Sequence, residues 1–203
     1  MYIPRHFLVD DRSSLFEFIE SNTFGIIFST HDNVPVASHL PFLLDRELGC
    51  LIGHFARPNE QWKEIQGQEA LIVFSGPHTY ISSSWYETNM SVPTWNYVAV
   101  HVYGNIELIE DQTEVLQTLK TLVTKYETVD SKYEINETNK EFIEGLVRGI
   151  VPFKLNISRM EGKWKLSQNH SEERQRNVIE QLEQSESEDA QKIAELMSNN
   201  LRN

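Results

Sequence analysis

Through the first 110 residues apolar and polar positions alternate in short runs, and three- and four-residue spacing appears near the start and again beyond residue 110. Residues 24–30 (FGIIFST), 34–44, 50–56 (CLIGHFA), 69–75 and 95–110 carry the period of strands, with a broken strand over 79–85. The run at 95–110 is the longest, with Val98, Val100 and Val102 on one face and Tyr97, Ala99, His101 and Tyr103 on the other. His31-Asp32-Asn33 and 45–49 read as turns, and Pro35 and Pro41 suit an edge or bulged strand. Residues 150–158 and 162–167 read as a closing hairpin split at Glu161-Gly162. Helical spacing predicts helices over 10–22 (Leu15, Phe16, Ile19), 111–129 (Val115, Leu119, Leu122), 139–148 and a short one over 58–66 begun by Pro58. From His170 the composition turns to Glu, Gln, Ser and Asn, and two terminal helices flank a polar break at 185–188. The pattern is α+β: a small antiparallel barrel of six or seven strands with peripheral helices. It divides into a barrel domain over 1–168 and a helical extension over 169–203 that packs on the barrel or on a partner subunit.

A chain of 203 residues builds one substantial core, and 39% hydrophobic with 24% charged residues is ordinary for a globular protein. No apolar run reaches bilayer length and MYIPRHFLVDD lacks a secretory h-region, so no membrane is expected. The single cysteine, Cys50, fits a reducing compartment, and the expected location is cytoplasmic. The formal charge of −12 opposes a broad nucleic-acid surface. The tail from 170 to 203 holds four basic and eight acidic residues, the wrong sign for a DNA-reading element. An anionic ligand must therefore be gripped by locally placed cations.

The densest chemistry lies between Gly53 and Gly104, where Trp62, Trp85, Trp95, His54, His78, His101 and Arg57 are interleaved with Asn, Ser, Pro and Gly. That mixture suits the wall of a site for a planar ligand with one charged group. Arg57, between a strand end and a Pro-started helix, reads either as an anion site or as a surface arginine. Trp85 and Trp95 could stack on a ligand or pack in the core. Lys165 is either a cation at the barrel mouth or a solvated lysine. His54 and His78 lack a third ligand at useful spacing, so a hydrogen-bonding role is preferred to metal and no metal site is expected. Rossmann, P-loop, serine-elbow and zincin motifs are absent, and Ser82–Ser84 has no identifiable base.

GHFARPNEQW, SGPHTYISSSWY, VPTWNY and KLSQN together strongly resemble the PaiB family, from MYIPRHF to about Leu182. The resemblance implies a negative transcriptional regulator of protease synthesis and sporulation. It also implies the FMN-binding split-barrel superfamily: six antiparallel strands, usually a homodimer with flavin at the subunit interface. Ala56-Arg57-Pro58-Asn59 stands where relatives hold the flavin phosphate, with Gln61 and Trp62 on the helix behind. Pyridoxamine-phosphate oxidases have Ser-Arg-Lys there, so Lys165 or a partner-subunit residue would supply the missing cation. His54, Asn59, Trp95 and Asn96 would line the ring or ribityl pocket. The alternatives are an FMN-dependent oxidoreductase acting on a small molecule and a haem-binding split barrel using His54, His78 or His101.

Overall fold

The β-branched and aromatic runs form strands as their period requires, and the computed structural model describes residues 1–128 and 130–202. Its strands are β1 (Leu8–Val9), β2 (Phe24–His31), β3 (Val34–Pro41), β4 (Leu43–Asp45), β5 (Cys50–Ala56), β6 (Glu69–Ile81), β7 (Thr94–Leu108) and β8 (Ile150–Lys165). They join one sheet in the order β3-β2-β6-β7-β8-β5-β4, with β1 on β8. β1 and β4 are two and three residues long, which leaves six long strands, the number the family resemblance implies. The helices are α1 (Arg12–Ser21), α2 (Gln112–Tyr126), α3 (Lys140–Val147), α4 (Glu172–Glu183) and α5 (Glu188–Arg202). Val129, the end of the helix predicted over 111–129, and Asn203 lie outside the described residues.

Internal contacts divide the chain into two compact units: Met1–Phe18, Phe74–His101 and Met160–Asn203 form unit 1, and Ile19–Val73 with Val102–Arg159 form unit 2. In unit 2, β2 and β3 form a hairpin whose Asp32 and Asn33 have φ of 51° and 61°. Two successive left-handed residues are the signature of a tight hairpin turn, and Asp and Asn tolerate that geometry. β3 ends the sheet, so Pro35 and Pro41 sit on an edge. β5 pairs antiparallel with β8 from Cys50↔Asn156 to Ala56↔Ile150. Phe55 stacks on Phe153 at 4.8 Å, and both are fully buried. Val115 of α2, with Val147 of α3 beside it, closes over Cys50, Ile52 and Ile109.

In unit 1, Val178, Ile179 and Leu182 of α4 and Ile193, Ala194 and Met197 of α5 pack with Ile81, Val98 and Leu166. The polar-looking tail thus keeps an apolar stripe on each helix and buries it on its own chain. Ser171 caps α4 by accepting the Arg174 N–H, a contribution of about 1 kcal/mol.

Three expectations are corrected. The runs 69–75 and 79–85 are not separate strands: β6 is continuous to Ile81, and Ser83–Trp85 is a 3₁₀ turn capped by Ser82. No hairpin divides residues 150–167, because β8 runs unbroken for sixteen residues. Gly162 serves close approach, pairing with Val9 where a Cβ would come 2.3 Å from Leu15 Cδ2. The short helix over 58–66 is a five-residue 3₁₀ turn, Glu60–Glu64, because the Asn59 side chain, not Pro58, starts it by accepting the Gln61 N–H.

Candidate functional site

Five of the eight residues singled out by the sequence lie in unit 2, around the end of β5. Arg57 follows that strand directly, and its N–H donates to Gly149 O. Its Nε donates to Arg148 O and its Nη2 to Ile150 O at 2.8 Å. The guanidinium therefore holds the carbonyls that end α3 and begin β8, a favourable use of a cation at a helix C-terminus. Among the described residues, Nη1 is left uncommitted by these bonds, and the side chain is exposed. Trp62 donates its Nε1–H to Arg57 O at 2.8 Å, and its ring centroid lies 5.9 Å from the guanidinium carbon.

Asn59 and Gln61 are occupied by the fold itself. Gln61 is 4% exposed; its Nε2 donates to Ser29 Oγ at 2.9 Å and Ile27 O at 3.3 Å, and its Oε1 accepts from Ser38 Oγ at 2.6 Å. Asn59 Nδ2 donates to the same Ser38 Oγ at 2.8 Å. These bonds pin the 3₁₀ turn onto the β2–β3 hairpin and so fix where the chain leaves Arg57. His54, on β5, is partly buried, and desolvation holds its imidazole below the ordinary pKa, favouring the neutral form.

Trp95, Asn96 and Lys165 lie in unit 1. Trp95 is 53% exposed at the start of β7, its ring 6.2 Å from His78 and 6.0 Å from Tyr80, so it is a surface aromatic and not core. Asn96 is 1% exposed. Its Nδ2 donates to Ser167 Oγ at 3.0 Å, and Ser167 has a left-handed φ of 65°. A non-glycine residue there is strained. The buried Asn96 amide helps hold Ser167 in that state, and Gln168 staples the same turn through Leu166 N–H and Trp164 O. Lys165 Nζ donates to Thr94 Oγ1 and Trp95 O. Burial first, and the charge of Lys163 second, hold its pKa below the ordinary lysine value.

Asn96 and Lys165 line a cavity of about 370 Å³ together with Tyr86, Ser167, His170 and Arg174. Arg174 pairs with Glu87 through Nε and Nη2, and its guanidinium carbon lies 4.6 Å over the Tyr86 ring. His170 is also held below its ordinary pKa, by burial and then by Arg174. Sequence reasoning missed Tyr86, Ser167, His170 and Arg174. The four-residue spacing of His170 and Arg174 beside KLSQN was the available signal; the loop that brings Tyr86 to them has no periodicity to read.

A family described as "Putative FMN-binding domain" matches residues 1–159. The chain is 38% identical, over its whole length and 99% of the relative, to protease synthase and sporulation protein PAI 2 of Bacillus subtilis. The fold is similar to that of the flavocytochrome Anf3 of Azotobacter vinelandii, with TM-score 0.63, 13% identity, and 80% of this chain and 72% of that one covered. An FAD and heme binding protein of Mycobacterium smegmatis gives TM-score 0.55 at 14% identity, covering 78% and 73%. Among the described residues no helix is long and apolar enough to cross a membrane. The full-length relationship and the domain match agree with the six long strands, and the chain belongs to the PaiB family, on the FMN-binding split-barrel fold.

Proposed function

We propose that this protein binds FMN and acts, as a cytoplasmic homodimer, as a PaiB-type negative regulator of sporulation and degradative-enzyme synthesis. The observation that carries the reading is the FMN-binding domain match over residues 1–159 within a chain related end to end to PAI 2. The residues present fit the cofactor's phosphate: Arg57 is exposed, held in place by two carbonyls, and keeps Nη1 for a ligand. Two hydrogen bonds fix the side chain in advance, so little rotamer entropy remains to be lost on binding. Trp62, its ring 5.9 Å from the guanidinium carbon, stands beside the phosphate position, and His54 is assigned to the ring or ribityl side as part of the same proposal. Asn59 and Gln61 act by shaping the turn after Arg57. A bound flavin supplies one- and two-electron redox chemistry, and the chain supplies its binding and orientation.

With a net charge of −12, the protein regulates through a ligand or a protein partner rather than by gripping DNA itself. The test is the absorption spectrum of gently purified protein, with its mass by light scattering. Flavin bands and twice 23.6 kDa are expected. A Soret band would replace flavin by haem, no band on FMN addition would remove the cofactor reading, and a clean monomer would remove the dimer.

A further inference from the structure

Arg57 joins the phosphate position to α3. Its backbone N–H donates to Gly149 O, its Nε to Arg148 O and its Nη2 to Ile150 O. One residue therefore holds three successive carbonyls where α3 ends and β8 begins. The side chain spends one edge of the guanidinium fork on this joint. Among the described residues these bonds leave the other edge, Nη1 with the second hydrogen of Nη2, open to an anion.

Among the described residues, little else secures α3. It is eight residues long, well below the length at which a helix is stable alone. Its buried anchor is Ile143, with Val147 half-buried on the cluster of Cys50, Ile52, Ile109 and Val115. Its other two large apolar side chains, Phe142 and Leu146, are 68% and 57% exposed. A cavity of about 60 Å³ lies beside Ile143, lined also by Leu116 and Lys120 of α2. Gly145 lowers the helix propensity, and no packing requires it, since a Cβ there would meet nothing within 4 Å. Asn139 turns its side chain back to Glu134 O and the Asn136 N–H and caps no helical N–H. The C-terminal joint on Arg57 is thus a principal restraint on this helix.

We propose that α3 is a conformational output of the flavin site: phosphate on the open edge of Arg57 fixes the guanidinium against Arg148 O and Ile150 O and so holds α3 down, whereas a flavin without phosphate leaves α3 as it was. This rests on the assignment of the FMN phosphate to Arg57. Linkage makes the effect reciprocal: a ligand that prefers the clamped side chain favours docked α3, and a firmly docked α3 offers phosphate a better prepared cation. An arginine side chain loses much rotamer freedom when it is fixed. Clamping in advance therefore changes phosphate affinity about five- to tenfold, and phosphate changes α3 docking by the same factor.

The test is hydrogen exchange of the full chain, read by mass spectrometry over residues 140–149, without ligand and with saturating FMN or riboflavin. FMN is expected to slow exchange there about five- to tenfold, and riboflavin to leave it within about twofold. Arg57→Gln should speed α3 exchange in the ligand-free protein and abolish the response to FMN. Ile143→Ala, which loosens α3 away from Arg57, should speed α3 exchange and weaken FMN about threefold or more, with riboflavin affinity within about twofold. The proposal is overturned if FMN binds and α3 exchange does not respond, or if riboflavin slows it as much as FMN. It is also overturned if Ile143→Ala, with α3 exchange faster, binds FMN like wild type or weakens both flavins alike. FMN binding that depends on Arg57 with α3 unresponsive would remove this proposal alone. No FMN binding to wild type would remove the flavin reading and this proposal with it.

Discussion

Gln61→Met separates a residue that holds a cofactor from one that holds the fold. The substitution keeps side-chain length and removes the amide. It deletes the 2.9 Å bond to Ser29 Oγ and the 2.6 Å bond from Ser38 Oγ, and the weaker contact with Ile27 O at 3.3 Å. Two sound hydrogen bonds contribute about 1 kcal/mol each in net stability. Ser29, 8% exposed, is left without this donor, which adds about 1 kcal/mol or more. The expected loss is about 3 kcal/mol, or about 6–12 °C in Tm for a chain of this size. Ser38 keeps the Asn59 bond, so the turn loosens without being released. Calorimetry gives Tm, and fluorescence titration well below it gives FMN affinity, expected to stay within about twofold of wild type. An unchanged Tm with a tenfold weaker FMN complex would refute the reasoning and make Gln61 a cofactor ligand.

Further outcomes follow from the same contacts. A Cβ on Gly104 would stand 2.1 Å from Asn156 O, a backbone atom that cannot step aside, so Gly104→Ala should lower Tm sharply; an unchanged Tm would contradict the close approach. Met197→Ala empties a fully buried site between α5 and its strands and should cost about 2–5 kcal/mol by urea unfolding; a loss under about 1 kcal/mol would mean the terminal helices are not docked. His54, His101 and His170 all have pKa values lowered by burial, so the unfolded chain takes up protons that the fold refuses. Stability is then full above the ordinary value of 6.5 and falls as pH drops through the lower folded values. Tm measured against pH should show that decline, shallower in His54→Gln, and a flat profile would contradict it.

The strand pattern was legible where alternate positions are buried, as over Gly25–Ser29 of β2 and Ala70–Phe74 of β6. Alternating Val98, Val100 and Val102 can be read without a structure, and so can the edge position that Pro35 and Pro41 impose. Glycine misled at Gly162, where close packing of backbone against Leu15 looks in sequence like a turn. Pro58 misled for a related reason: it permits a helix start, but the Asn59 side chain set the turn that formed. Arg57 was visible as an isolated cation, yet its bonds to Arg148 O and Ile150 O depend on a segment ninety residues away. The unit 1 cavity was half visible through Asn96 and Lys165. Tyr86 and Arg174 reach it through an irregular loop and a helix start, whose tertiary placement no local pattern encodes.

The most direct measurement titrates FMN and riboflavin against wild type and Arg57→Ala. Charge-assisted contacts to phosphate contribute about 1.5–3 kcal/mol, so FMN should weaken about ten- to hundredfold in the variant. Riboflavin, which has no phosphate, should bind both proteins equally. Equal losses for the two flavins would make Arg57 only the clamp on Arg148 and Ile150, and absence of flavin binding to wild type would contradict the account at its root.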